Sequence, residues 1–174
     1  KEIKLSHDRK YQLTDLWEAE NGYGPFKGRK LRMIFDSAKS VDQQLKDAMV
    51  RLLAINPEFA KEVSETLKVI LRNVIPVGKN NYVLAPQDTD IRFLKKGCSL
   101  IGLGSYSDRE NNLVVDPEIA KDLFNTDTAA FYLHEAIYKV MRVNGSIESS
   151  WKVRKIVGFI FSLEPVTWQE LMAD

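Results

Sequence analysis

The densest group of chemically capable side chains in the sequence lies in one amphipathic segment. His134, Glu135, Tyr138 and Arg142 follow one another at steps of one, three and four residues. Successive residues of a helix are about 100° apart around the axis, so these spacings place all four side chains along one edge. An imidazole and a carboxylate can transfer protons, while a phenol and a guanidinium can donate hydrogen bonds. This edge is the first candidate for a functional site.

The segment TDTAAFYLHEAIYKVMRVNG, residues 126–145, predicts the helix that carries this edge, which we place at 127–144. Thr126 or Asp127 is expected to cap its start, and Asn144-Gly145 are residue types that end helices. An apolar stripe beside the polar edge is expected to face the core, whereas Ala136 is expected on the outer side. The stripe consists of Ala130, Leu133, Ile137, Val140 and Met141.

His134-Glu135 followed by Tyr138 resembles the His-Glu-x-x-His motif of zinc peptidases. In that motif two histidines bind the metal and the glutamate activates a water. The order of hairpin, short helix and His-Glu helix over residues 98–145 also resembles the core of these enzymes, the zincins. Tyr138 replaces the second histidine, and the other histidine of the chain, His7, is remote in sequence. Because a catalytic zinc site usually takes three protein ligands, we expect a degenerate zincin-like core without metal or other cofactor.

A second resemblance covers more of the chain. LHEAIYKVMR and SIESSWKVRKIVGFIFS, with DLWEAENG upstream and KKGCSLIGL before the hairpin, resemble a family of secreted bacterial proteins of unknown activity. The family signature matches Leu133, His134, Glu135, Tyr138, Ser149 or Ser150, Val153, Arg154, Phe161 and Ser162. The resemblance implies export to the periplasm or the extracellular space, but it implies no reaction.

Three interpretations of the polar edge remain open at this point. In the first, Glu135 is ionised and pairs with Arg142 or Arg154, with His134 and Tyr138 completing a structural network. In the second, the same residues form a binding site in which Arg142 and Arg154 contact a ligand or peptide. In the third, His134, Glu135 and Tyr138 catalyse hydrolysis. We favour a non-catalytic binding or structural protein, with the hydrolase as the alternative.

The remaining pattern predicts one α+β domain over residues 1–174. Helices are predicted at 6–20, 40–55 and 57–72, from Pro117, and from Ser149 or Ser150, with a helical turn in the C-terminal tail. Strands are predicted within 74–78, 81–88, 98–106 and 111–116. The loop at 107–112 predicts a hairpin, so we expect a small antiparallel sheet that packs against several helices.

The two helices at 40–55 and 57–72 each carry a regular apolar stripe that is expected to be buried. Ser40 with Gln43 predicts a capping box, and Asn56-Pro57 predicts a cap followed directly by a helix start. The stripes include Leu45, Met49, Leu52, Leu53, Phe59, Val63, Leu67 and Leu71.

The composition excludes several classes of partner. A formal net charge of +1 argues against nucleic acid as the main partner, since nucleic-acid binding usually requires a basic face. No apolar run approaches the roughly 18 residues that span a bilayer, so no membrane span is expected. The sequence does not identify the partner, and a protein or a cell-envelope component is one candidate. A single cysteine, Cys98, excludes an internal disulfide, and it is expected to be buried at a strand start. Trp151 is also expected to be buried.

Overall fold

The fold is known from a computed structural model that describes residues 10–78, 81, 83–84, 94, 97–145 and 150–173. These residues form seven α-helices, one short 3₁₀ helix and three strands. The elements are α1 (Thr14–Asn21), the 3₁₀ helix (Gly24–Phe26), α2 (Val41–Ile55), α3 (Pro57–Arg72), β1 (Val74–Pro76), β2 (Gly104–Ser107), β3 (Asn112–Val115), α4 (Pro117–Ala120), α5 (Asn125–Val143), α6 (Trp151–Ile160) and α7 (Trp168–Met172). The predicted strand at 81–88 and the predicted cap Ser6 lie largely outside the described residues.

Helix α5 lies at the centre of the fold, where it packs against α1, α2, α3 and α6. Its predicted apolar stripe is buried throughout. Ala136, which was predicted on the outer side, is also fully buried because neighbouring helices cover α5 on more than one face. None of the helices in the described residues combines the length and the apolar character that crossing a membrane requires.

The start of α5 differs from the predicted one, and the difference connects it to α1. The helix begins at Asn125, and neither Thr126 nor Asp127 caps it. Asp127 is fully buried, and its Oδ1 accepts the backbone N–H of Leu13 at 2.9 Å. The Asp127 carboxylate, which was expected to cap α5, therefore binds the backbone of Leu13, the residue that precedes α1.

The three-stranded sheet has the order β1-β3-β2 and is mixed. The predicted hairpin is confirmed, because β2 and β3 pair antiparallel from Gly104↔Val115 to Ser107↔Asn112. The prediction of an antiparallel sheet was wrong for β1, which pairs parallel with β3. A parallel neighbour requires a long connection, and here the chain between β1 and β3, which includes β2, supplies it. The α+β class itself is confirmed.

The sheet lies directly on α5 at one glycine. A Cβ atom added to Gly104 in β2 would lie 2.5 Å from the Phe131 ring of α5. Only a residue without a side chain fits there, since real Cβ contacts are never that short. This close approach brings the β2–β3 hairpin over the polar edge of α5.

Helices α2 and α3 have the predicted limits and the predicted caps. The capping box of Ser40 and Gln43 is present, and the Asn56 side chain accepts the Phe59 N–H. Four of the predicted core residues are buried, namely Leu45, Leu52, Val63 and Leu67, while Met49 and Phe59 are partly buried against the core. Leu53 and Leu71 were wrongly placed in the core, as they are 53% and 40% exposed.

Two adjacent leucines of α2 provide a matched test of this packing. Leu52 is 0% exposed and Leu53 is 53% exposed. Leu52→Ala should lower the free energy of unfolding by about 2–5 kcal/mol, because it leaves a cavity in a packed core. Leu53→Ala should change it by less than about 0.5 kcal/mol, as expected for a surface position. Urea denaturation of both variants measures the difference, and equal losses would show that the face of α2 is misassigned.

Candidate functional site

The polar edge of α5 meets two carboxylates that come from α1. Asp15 Oδ2 lies 2.6 Å from His134 Nδ1, and the two side chains are 3% and 15% exposed. Glu18 lies one turn further along α1, and its Oε2 lies 3.1 Å from Arg154 Nε of α6. Since Asp15 and Glu18 are three residues apart, they lie on one face of α1 and connect it to two different helices.

Within the described residues, neither Arg142 nor Arg154 forms the predicted ion pair with Glu135. Arg154 was expected to reach Glu135, but its ion-pair partner is Glu18, with side chains 2% and 3% exposed. Arg142 forms an ion pair with Asp108 of the hairpin loop, and its guanidinium lies 5.3 Å from the Tyr138 ring centroid. The structure therefore brings Arg154 and Arg142 to opposite sides of the polar edge.

A glycine makes room for the buried carboxylate of Glu18. Gly24, the first residue of the 3₁₀ helix, has a φ of 52°, in the left-handed region. A Cβ atom at this position would lie 2.7 Å from the Glu18 carboxylate. Any side chain there would displace Glu18 or the loop, so the Gly24 turn is part of the surroundings of the Glu18–Arg154 pair.

Glu135 lies between α5 and the hairpin. The Tyr106 backbone of β2 lies close enough to its carboxylate to oppose the rise in its pKa. Lys139, which follows Tyr138 but is not part of the edge, also holds the hairpin. Its Nζ bonds to the Tyr106 hydroxyl and lies 3.1 Å from Asn111 Oδ1. Tyr138 stands between these groups and His134, whose ring centroid is 6.1 Å away. All four edge residues, together with Lys139, therefore lie against the hairpin or each other.

The pKa values of His134 and Glu135 are both raised above their ordinary values. Burial by itself lowers the pKa of His134, but the charge and hydrogen bond of Asp15, with the charge of Glu135, raise it above its ordinary value, against Arg154. Burial raises the pKa of Glu135, and Asp15 adds to the rise, against His134, Arg142 and the Tyr106 backbone. Both shifts favour the protonated forms in the folded state.

Sequence reasoning missed Asp15 and Glu18, although a signal for both was present. Each is next in sequence to an apolar residue of α1 that is fully buried, Leu16 and Ala19. Two carboxylates three residues apart beside a buried stripe predict buried partners of opposite charge, because unpaired buried charges are costly. Cys98, by contrast, was predicted to be buried and is exposed, and Trp151 was wrongly placed in the core, as it is 40% exposed.

A cavity of about 500 Å³ lies on the other side of α1. Trp17 and Glu20 of α1 line it, facing the segment at 98–103. At about 100° per residue these two positions lie roughly opposite Asp15 and Glu18 around the helix axis. Apolar lining is supplied by Leu13, Trp17, Leu100, Ile101, Leu103 and Leu123. His134, Glu135 and Tyr138 are not among its lining residues.

The remaining predictions on the site concern metal and relatives. Within the described residues, no group of three or more His, Cys, Asp or Glu side chains could hold a metal ion. Comparison of the chain with protein-family models, curated proteins and solved structures found no match. The zincin resemblance and the resemblance to secreted bacterial proteins therefore stay predictions, and the geometry carries the functional argument.

Replacement of Glu18 or of Glu135 by glutamine should change the free energy of unfolding by different amounts. Glu18→Gln should lower the free energy of unfolding by about 3–5 kcal/mol at neutral pH, because it removes the ionised carboxylate that lies 3.1 Å from the buried Arg154 guanidinium. Glu135→Gln should change it by less than about 1 kcal/mol, because burial already disfavours the ionised form of Glu135. Denaturation curves of the two variants measure this contrast. An equal or larger loss for Glu135→Gln would mean that Glu135 holds the cluster together.

The raised pKa values of His134 and Glu135 predict the pH dependence of stability. A group whose pKa is raised on folding stabilises the fold below its unfolded pKa, and this contribution disappears as the pH rises through the folded value. The free energy of unfolding should therefore fall from about pH 5, just above the ordinary pKa of glutamate, to about pH 8, beyond the ordinary pKa of histidine. His134→Gln should reduce the fall.

Glu164 supplies the control for this experiment. Its pKa is lowered, mainly by a hydrogen bond from Arg32, so its contribution is lost only towards acid pH, below the ordinary glutamate value. Glu164→Gln should leave the slope between about pH 5 and about pH 8 unchanged. A wild-type stability that rises with pH over this range would contradict the expected shifts.

Proposed function

We propose that the chain is a non-catalytic binding protein whose ligand occupies the cavity beside α1. The observation that supports this proposal most is the division of α1 into two faces. Asp15 and Glu18 engage His134 and Arg154 on the inner face, whereas Trp17 and Glu20 line a cavity of about 500 Å³ on the outer face. The two buried pairs thus hold α1 in place, and α1 forms one wall of the cavity.

The size and lining of the cavity favour a small amphipathic ligand. Ligand sites generally measure about 300–1,000 Å³ and combine apolar walls with a few polar groups. Here the apolar side chains are accompanied by Tyr11, Gln12, Thr14, Glu20 and Asn21. Gln12 Nε2 donates to Glu20 at 3.1 Å, which fixes both polar groups. An apolar body with one or two hydrogen-bonding groups would match this arrangement.

Export is part of the proposal. It is motivated by the resemblance of LHEAIYKVMR and the segment after it to secreted bacterial proteins. A protein or cell-envelope partner stays a prediction on the same ground.

Binding of the neutral dye Nile red tests the cavity, since its fluorescence reports an apolar environment. Ile101 lines the cavity and is 41% exposed, so Ile101→Asp places a carboxylate there at little cost to folding. The variant should bind the dye at least about tenfold more weakly, equivalent to about 1.4 kcal/mol, because an apolar ligand would desolvate that carboxylate. Fluorescence titration of wild type and variant gives the ratio.

Leu53→Asp is the matched control, because Leu53 is an exposed apolar residue of α2 that does not line the cavity. It should leave the affinity for Nile red unchanged. Equal effects of the two substitutions, or no binding to the wild type, would argue against a ligand site beside α1.

One observation favours the second candidate, a hydrolase using His134, Glu135 and Tyr138. The 2.6 Å contact between Asp15 and His134 Nδ1 orients the ring, as a carboxylate does for a histidine that serves as a general base at its other nitrogen. In this candidate Glu135 assists proton transfer and Tyr138 donates a hydrogen bond to the substrate.

A comparison of wild type with His134→Gln separates the hydrolase from the binding protein. On a panel of fluorogenic esters and peptides, the binding protein predicts that both give the same background rate. The same preparation, purified without chelator, should carry no stoichiometric zinc by elemental analysis. A hydrolytic rate that falls about a hundredfold or more in the variant, the usual contribution of a general base, would establish the hydrolase instead.

A further inference from the structure

The described lining of the cavity beside α1 contains two charged side chains, and their surroundings differ. Lys10 is 65% exposed in its side chain, and its Nζ lies 2.6 Å from Asp122 Oδ2. The charge of Lys10 is therefore paired and largely in solvent. Glu20, in the last turn of α1, is partly buried. The partly buried charge in this lining is thus a negative one.

The partner of the Glu20 carboxylate is a neutral amide. Its Oε2 accepts a hydrogen bond from Gln12 Nε2 at 3.1 Å, and within the described part of the chain it forms no ion pair. A carboxylate forms a stronger hydrogen bond with a cation than with a neutral donor. Partial burial also makes a charge without a counter-charge costly. A positively charged ligand would reduce this cost, whereas an anionic ligand would add to it.

Trp17 lies three residues before Glu20, on the same face of α1, and lines the same cavity. Its ring stacks on Tyr23, with the ring centroids 5.1 Å apart and the ring planes at 21°. This contact holds the indole in one orientation. Cations are attracted to the electron-rich faces of aromatic rings, and most strongly to indole. A carboxylate and an indole on one helical face therefore form two sides of a site for an ammonium group.

We propose that the ligand of this cavity is a small amine with an apolar body, protonated at neutral pH. Its ammonium group lies between Glu20 and Trp17, and its apolar body packs against Leu100, Ile101 and Leu103, which line the cavity. This proposal rests on the function proposed above, because it names the chemical class of the ligand for the same cavity. The charge of the ligand can nevertheless be tested separately from binding itself.

Calorimetric titration with 1-naphthylmethylamine, 1-naphthylmethanol and 1-naphthoic acid at low ionic strength tests the charge. The three compounds share a naphthalene ring and are cationic, neutral and anionic at neutral pH. The amine should bind at least about tenfold more tightly than the alcohol, and the acid should bind more weakly than the alcohol. The preference for the amine should decrease as salt is raised, because screening weakens its attraction to Glu20.

Glu20→Gln removes the charge and keeps a side chain of nearly the same size. In this variant the ratio of the amine and alcohol affinities should fall to about one, because the charge-assisted hydrogen bond is lost. Glu65→Gln is the charge-matched control, at an exposed glutamate of α3 that does not line the cavity. It should keep the ratio of at least about tenfold.

Cys98 can report whether the amine occupies this cavity. It lines the cavity, is exposed and is the single cysteine of the chain. Saturating 1-naphthylmethylamine should therefore slow the modification of Cys98 by methyl methanethiosulfonate, a thiol-specific reagent, as measured by mass spectrometry. This measurement uses the wild-type protein and does not depend on the folding of any variant.

Equal affinities of the wild type for the amine and the alcohol would overturn the proposal, and so would an unchanged ratio in Glu20→Gln. An unaltered rate of Cys98 modification at saturating amine would place the bound amine elsewhere. If Nile red binds but the amine has no advantage over the alcohol, the charge preference is rejected and the cavity remains a ligand site. If neither Nile red nor any of the three naphthalene compounds binds, the ligand site itself is rejected.

Discussion

The position of α1 depends on two carboxylates that are removed from water. Asp15 and Glu18 are each 3% exposed, and their partners His134 and Arg154 are 15% and 2% exposed. Burying such charges costs several kcal/mol per ion before pairing, and pairing recovers this only when the geometry is good. The net stability that the two pairs add is therefore small compared with the cost of separating either carboxylate from its partner. A shift of α1 by one residue would separate both carboxylates from their partners.

This constraint places the His134 and Glu135 side chains of α5 against two different elements. His134 directs Nδ1 to Asp15 of α1, while Glu135 contacts the Tyr106 backbone of the hairpin on the other side. Two adjacent residues of one helix thus connect it to two different elements. Tyr138, at the place of the second histidine, lies between His134 and Arg142 and packs against both. Through these contacts the polar edge of α5 connects that helix to α1 and to the sheet. A structural network on this edge is one of the three interpretations that the spacing of its residues leaves open.

The sequence predicts the elements whose signals are local. The capping box of Ser40 and Gln43 and the Asn56-Pro57 start define α2 and α3 to within one residue, because each signal acts within one helical turn. The hairpin follows from the turn between β2 and β3. The parallel pairing of β1 with β3 and the partner of His134, which lies 119 residues away in the chain, depend on how distant segments meet. No local pattern encodes either contact. For the same reason the sequence indicates that Arg154 needs a buried carboxylate but assigns the wrong one.

The two faces of α1 connect these internal charges to the surface. Since α1 is only eight residues long, it cannot hold its place through helix propensity, because isolated helices of that length are unstable in water. Its inner face is fixed by ion pairs and by the buried Leu16 and Ala19, so its outer face is a preformed wall of the cavity beside it. Because such a wall is already ordered in the free protein, binding against it would not include the cost of ordering it. The protonation state of His134 acts on that same helix, since the charge it adds strengthens the attraction to Asp15. The groups that resemble catalytic residues therefore help to hold one wall of the cavity in place without lining it.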